Sequence, residues 1–172
     1  KDDVWVLPLE GPGRPQSLVQ SRFGEGSAKF SPDGGWVAYS SNESGKAEIY
    51  VQPFPGPGPK VQISNDGGID PVWRPSGGEL YYRRGNRMMA VSLTTSPQFR
   101  ASAPTTLWEG RYSAGSASSC GMPGVSSSNY SVSADGRRFL MVRDDDTSLV
   151  GKRIVVVLNW AEELKAIARA AG

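Results

Sequence analysis

A short corner recurs in this chain and restricts its fold more than any other feature. Three segments share one plan: Lys29-Phe30-Ser31-Pro32-Asp33-Gly34-Gly35-Trp36-Val37-Ala38-Tyr39, Val72-Trp73-Arg74-Pro75-Ser76-Gly77-Gly78-Glu79-Leu80-Tyr81-Tyr82, and Ser131-Val132-Ser133-Ala134-Asp135-Gly136-Arg137-Arg138-Phe139-Leu140-Met141. Proline at the second turn position presets φ to about −65°, Asp or Ser suits the third, and glycine takes the left-handed conformation that a bulged hairpin needs. A short strand ending in Phe30, Trp73 or Val132 precedes each corner, and an alternating strand such as Trp36-Val37-Ala38-Tyr39 follows it. Third strands are predicted at residues 48–54, 88–93 and 154–158, and residues 3–9 have the same form. Outer strands fit residues 16–19, 60–63 and 105–108, where nearby prolines are tolerated because an edge strand needs fewer N–H donors.

Gly34 and Gly77 stand 43 residues apart, the length of one four-stranded propeller blade, about 40–45 residues. Gly77 and Gly136 are 59 apart, so the second unit carries an insertion, which falls in the Ser- and Gly-rich stretch 113–129. The 21 glycines and 13 prolines punctuate short apolar runs in the manner of an all-β chain. The expected architecture is all-β, with β-propeller blades of four antiparallel strands. Residues 1–20 would end an earlier blade, 27–64 and 70–108 would be blades, 109–128 a loop, 129–159 the last blade and 160–171 a short C-terminal α-helix. Asn159 and Glu162 form a capping box for that helix, and Trp160, Leu164, Ile167 and Ala171 share one of its faces. About three blades and part of another cannot close a ring of about 4–8. The chain is therefore expected to be cut from something longer, or to self-associate through open blade faces.

Composition excludes several chemistries. With no histidine, a Ser-His-Asp or Cys-His centre or a His-ligated zinc site cannot be built from this chain alone. One cysteine, Cys120, permits no internal disulfide and no Cys-rich metal knuckle. Nineteen basic residues against 17 acidic ones give no general attraction to nucleic acid or an anionic membrane. No apolar run reaches the roughly 20 residues that span a bilayer.

The run from Phe30 to Tyr39, followed by Ser44-Gly45 and Glu48-Ile49-Tyr50-Val51, resembles the TolB-like, WD-repeat-like β-propeller repeat. Tyr50-Val51-Gln52-Pro53-Phe54-Pro55-Gly56 and the ending Val156-Val157-Leu158-Asn159-Trp160 through Leu164-Lys165 are similar to something narrower. They resemble the C-terminal propeller region of large bacterial proteins that often carry an N-terminal serine/threonine kinase domain. The resemblance implies a non-catalytic module that binds a protein or small ligand within a larger sensor or scaffold. It implies no cofactor and no metal, and a setting outside the cytoplasm. The alternative it leaves open is the gating propeller of a prolyl-oligopeptidase-like hydrolase whose catalytic domain lies elsewhere. No kinase motif is present in the chain.

Candidate binding residues sit in loops. Arg83, Arg84 and Arg87 read as a basic hairpin tip beside Tyr81 and Tyr82, suited to an anion or simply a charged turn. Asp66 and Asp70 belong to a loop expected to face the central channel, and with Asp33 and Asp135 they are expected to bond backbone N–H groups in turns. The blade loops 65–70 and 113–129 would form the contact surface. Asp144-Asp145-Asp146 lacks the ligand spacing of a calcium loop and reads as a solvated hairpin tip. Cys120 and the neighbouring serines lack a base or a nucleophile elbow. Trp36, Trp73, Tyr39 and Tyr82 occupy repeat positions that pack between blades.

Overall fold

The computed structural model describes residues 2–11, 13–112, 128 and 130–142. The predicted strand 154–158, the C-terminal helix, Asp144–Asp146, Cys120 and most of the Ser/Gly-rich stretch fall outside the described residues. Within them the chain is all-β, and its antiparallel strands fall into four sheets. Strands β1 (Val4–Val6) and β2 (Gln16–Val19) form a pair. The next sheet runs in simple order through β3 (Glu25–Phe30), β4 (Trp36–Ser41), β5 (Glu48–Pro53) and β6 (Val61–Gln62). The third repeats that order with β7 (Ile69–Trp73), β8 (Glu79–Arg84) and β9 (Arg87–Thr94). Strands β12 (Tyr130–Val132) and β13 (Phe139–Met141) pair in the last.

The outer edge of the third sheet departs from the four-strand plan. It is shared by β10 (Arg100–Ala101) and β11 (Thr105–Glu109), which pair with opposite halves of β9. The eight-residue β9 outruns β11, and the turn around Pro97 brings Arg100 and Ala101 back onto its free end. In the second sheet the outer strand shrinks to Val61–Gln62, because Pro59 just before it has no N–H to donate.

The sheets stack face to face, and period-two alternation fixes the stacking. On β4, Val37 and Tyr39 face the β1–β2 sheet, while Ala38 between them faces the β7–β9 sheet. On β8, Leu80 and Tyr82 join Ala38, Ile49, Val51, Trp73, Met89 and Val91 in the central core, while Tyr81 turns to the last sheet. There Phe139 lies edge-on to Tyr81 at 4.9 Å and to Trp108 at 4.7 Å between ring centres. Both faces of the middle sheets are thus buried, so their strands carry apolar residues consecutively rather than at alternate positions. The outward faces of the first and last sheets expose Trp5 and Leu140. Successive sheets that pack only on their chain neighbours are the arrangement of propeller blades.

The three corners share one hydrogen-bond plan. Gly34 N–H donates to Ser31 O (2.9 Å), Gly77 to Arg74 O (2.8 Å) and Gly136 to Ser133 O (2.8 Å). Each corner closes again two residues further on, with Ser31 N–H to Trp36 O, Arg74 to Glu79 O and Ser133 to Arg138 O. Gly34 has φ of 71°, where a Cβ would be strained. Asp33 accepts from the Ser31 hydroxyl (2.5 Å) and Gly35 N–H (3.1 Å), and Asp135 repeats this with Ser133 and Arg137 N–H. The Ser31 hydroxyl, then the Gly35 N–H, holds the Asp33 carboxyl below its ordinary 3.8. A lowered folded-state pKa contributes stability above the unfolded value, and that contribution is lost as pH falls through the folded one. Asp33→Ala is therefore expected to destabilise the chain at neutral pH, by no more than about 1 kcal/mol because solvent screens this exposed carboxylate. The cost should vanish in acid, as urea unfolding at the two pH values would measure.

The turn between sheets uses a different device. The buried Glu48 carboxylate accepts from the Ser64 hydroxyl and from Gly67 N–H (2.9 Å). A Cβ on Gly68 would lie 2.6 Å from Ser64 Oγ and 2.8 Å from Ile49 Cγ1, so only glycine fits there.

Candidate functional site

The inner strands of successive blades, β3, β7 and β12, lie side by side but belong to different sheets, so no ladder joins them. Side chains join them instead. The Trp73 indole N–H donates to Lys29 O at 3.0 Å, and the Tyr130 phenol donates to Asp70 O at 2.7 Å. Strands β3 and β7 each carry a bulge where the pairing register shifts, between Gly26 and Lys29 and between Ile69 and Val72. At the bulges sit two left-handed non-glycine residues in equivalent repeat positions, Ser27 (φ 53°) and Asp70 (φ 54°). Such a conformation costs about 1–3 kcal/mol and persists only where the surroundings enforce it. Here the Ser27 hydroxyl donates to Asp70 Oδ1 at 3.3 Å, tying one bulge to the next.

Beyond the bulges the three inner strands form the wall of an open groove of about 670 Å³, lined by Lys29, Phe30, Val72, Trp73, Tyr130 and Ser131, and by Pro32, Pro75 and Ser128. Counted from the corners, Lys29, Val72 and Ser131 are equivalent positions, as are Phe30 and Trp73, and Pro32 and Pro75. The groove is thus a row of repeat-equivalent sites running across three blades. A smaller hollow of about 250 Å³ between the first two corners shares Pro32 and Trp73 with it. Phe30 is half exposed and rests edge-on against Phe54 at 5.0 Å.

The sequence-predicted residues divide into two groups. Asp66, exposed, pairs with Lys46 at 3.1 Å and lies 3.9 Å from Arg84, while Arg87 pairs with Glu109 at 3.1 Å. Lys46, then Arg84, lowers the Asp66 carboxyl. These are exposed ion pairs that solvent screens, so they contribute little to stability. Asp66 does not hold its turn as expected, because Glu48 takes the Gly67 N–H.

Asp70 and Arg83 are corrections to the reading of them as exposed loop residues. Arg83 is 3% exposed and donates to Tyr112 O at 2.8 Å and Gly85 O at 3.3 Å. It leaves the exposed tip because alternation along β8 places it on the same face as Tyr81, toward the Tyr130 side of the sheet. Asp70 is 1% exposed, and its Oδ2 has no hydrogen-bond partner. Burial pushes its carboxyl up, and the Ser27 hydroxyl and the Arg83 charge pull it partly back. Burial also raises the Tyr130 phenol, with the Asp70 charge acting in the same direction. Asp70, Arg83, Ser27 and Tyr130 therefore form a buried polar cluster that fixes the inner strands behind the groove. Among the described residues no three His, Cys, Asp or Glu side chains gather as a metal site.

Of the groove residues, Trp73 stands out in the sequence as an aromatic at a repeat position, and none stands out as lining a cleft. Aligning the corners places 29, 72 and 131 in one row, but nothing local says that this row faces a cleft.

No protein-family profile matches the chain. Part of it is 40% identical over 70 residues to a protein described as tricorn protease homolog 2 of Streptomyces coelicolor, covering 41% of this chain and 6% of that protein. It is 36% identical over 69 residues to tricorn protease homolog 1 of the same organism, covering 40% of the chain and again 6% of the relative. The chain thus spans a small fraction of the relatives it matches. Among solved structures it is similar to a protein described as TolB from Agrobacterium tumefaciens, with TM-score 0.49 and 18% identity over 62% of this chain and 41% of that one. It is also similar to TolB from Acinetobacter baumannii, with TM-score 0.47 and 19% identity over 84% and 43% of the two chains. The blade assignment rests on the sheets and corners described above.

Proposed function

We propose that this chain is a non-catalytic binding module of a larger bacterial sensor or scaffold protein, and that the inner-strand groove is its contact surface. The groove carries the reading. It is built from the same positions of three consecutive blades, it exposes Phe30 beside a floor of Trp73 and Tyr130, and the buried Asp70–Arg83 cluster stiffens it from behind. Rigid, aromatic, largely apolar concavities are where proteins hold ligands. Self-association through the faces bearing Trp5 and Leu140, and a setting outside the cytoplasm, belong to the same proposal. Light scattering that finds a stable monomer would remove the first, and fractionation that recovers the parent protein in the cytosol would remove the second.

A photo-crosslinking residue placed at Phe30 in the full-length parent should capture a bound molecule. The same residue at Leu107, exposed on the outer strand β11, should not. Capture at position 107 and none at position 30 would overturn the reading.

A second reading has one observation in its favour: both sequence relatives are described as tricorn protease homologs. In that reading the blades belong to a larger peptidase whose catalytic part lies outside this chain. Peptidase activity of the purified full-length parent would support it, and an inert parent would return the assignment to a binding module.

A further inference from the structure

Two of the three corners carry an aspartate at the same position, and its surroundings differ between them. Asp135 lies 3.7 Å from Arg138, and Arg74 also lowers its carboxyl. The second corner has the uncharged Ser76 at that position. Asp33 is exposed, and its bonds from the Ser31 hydroxyl and Gly35 N–H both fall on Oδ1. Among the described residues no cation forms an ion pair with it. No charge contributes to the lowering of its carboxyl either. Lys29, the cation of the adjoining groove, acts instead on the buried Asp70 carboxylate. The hollow of about 250 Å³ between the first two corners is lined by Asp33, Pro32, Trp73, Ser76 and Thr95, and among the described residues that line it Asp33 alone is charged.

Resting on the binding-module reading, we infer that this hollow takes the basic side chain of a polypeptide whose backbone runs on into the inner-strand groove. A carboxylate with no counter-ion, in a hollow that has no cation of its own, selects a positive charge. The hydroxyls of Ser76 and Thr95 can accept further N–H bonds from it. Pro32 and Trp73 give the apolar stem of a lysine or arginine a surface to lie on. The same two residues line the groove, so an occupant of the hollow reaches the groove without a break. Strands β3, β7 and β12 each pair on one side only, and their inner edges offer backbone N–H and C=O groups to an extended chain. A free small cation would use none of those groups, nor the half-exposed Phe30 beside them.

The test uses acetyl-Ala-Phe-Lys-Phe-Ala-amide and its counterpart with norleucine in place of the lysine, titrated into the full chain while the Trp73 indole and Gly35 N–H signals are followed by NMR. The lysine peptide should bind about two- to fivefold more tightly, the scale of an exposed charge pair. The preference should collapse at about 1 M salt, where the screening length falls to about 3 Å. Asp33→Asn keeps an acceptor for Ser31 and Gly35 N–H, so the corner stays closed, and should bring the lysine peptide down to the norleucine peptide's affinity. Asp135→Asn should leave the preference intact, and Phe30→Ser should weaken both peptides equally. Equal affinity of the two peptides for the wild type, or a preference that survives Asp33→Asn, would overturn the assignment of the hollow and leave the groove standing as a contact surface. Binding of n-butylammonium as tight as that of the lysine peptide, or affinities that ignore Phe30→Ser, would overturn the polypeptide as occupant. Binding of neither peptide to a folded chain would overturn the inference, while crosslinking at Phe30 in the parent still judges the module reading.

Discussion

Trp73→Ala is expected to be the most damaging single substitution, with a loss of about 3–5 kcal/mol. Trp73 is 7% exposed and ends an inner strand in the central core, among Ala38, Ile49, Val51 and Leu80. Its ring fills the wedge between two sheets, and its indole N–H is one of the bonds joining inner strands that no ladder connects. Truncation leaves a cavity at the interface of two blades and orphans Lys29 O together. Trp73→Phe separates the terms. It keeps most of the ring and removes the donor, so about 1–2 kcal/mol should be lost to the unsatisfied carbonyl. Urea unfolding of both variants measures the two losses. A Trp73→Ala variant as stable as wild type would mean that the two blades do not pack as described.

Arg83→Met should be nearly as costly, about 3 kcal/mol, for an electrostatic reason. The substitution keeps the apolar stem but removes the charge that acts on the buried Asp70 carboxylate and the donor to Tyr112 O. Asp70→Asn should behave oppositely. It preserves the side-chain shape, tolerates the left-handed backbone at this bulge, and removes a charge that burial disfavours. The sign follows from the raised carboxyl. A folded-state pKa above the unfolded value contributes stability that is fully present below the unfolded value and is lost as pH rises through the folded one. Wild type should therefore lose this contribution on leaving acid, Asp70→Asn should lack that slope, and Arg83→Met should extend it to higher pH. At neutral pH the double variant should be less damaged than the sum of the singles by about 1–3 kcal/mol. An Asp70→Asn variant as unstable as Arg83→Met would contradict the assignment of Asp70 as the disfavoured charge.

What the sequence made legible was local. The corners could be read residue by residue because proline, aspartate and glycine act within four positions, and the structure repeats their hydrogen bonds at Ser31, Arg74 and Ser133. The strand Trp36-Val37-Ala38-Tyr39 was legible for the same reason, but the expected alternation gave way to burial on both faces, because sheets pack against it from either side. The polar cluster was hidden because Arg83-Arg84-Gly85-Asn86-Arg87 has the composition of an exposed turn, and only the parity of β8 sends Arg83 inward while Arg84 meets Asp66. The left-handed Ser27 and Asp70 carry no glycine to announce them. The groove belongs to no single segment, since its wall exists only once three sheets are stacked.

The central claim is that inner strands of successive blades lie side by side, joined by side chains across sheets. Nuclear Overhauser contacts of the Trp73 indole proton test it most directly in the full chain. The arrangement predicts a slowly exchanging indole N–H with contacts to the backbone of Lys29 and Phe30 in the preceding sheet, matched by Tyr130 ring contacts to Asp70. Indole contacts confined to β8 and β9 of its own sheet would contradict it.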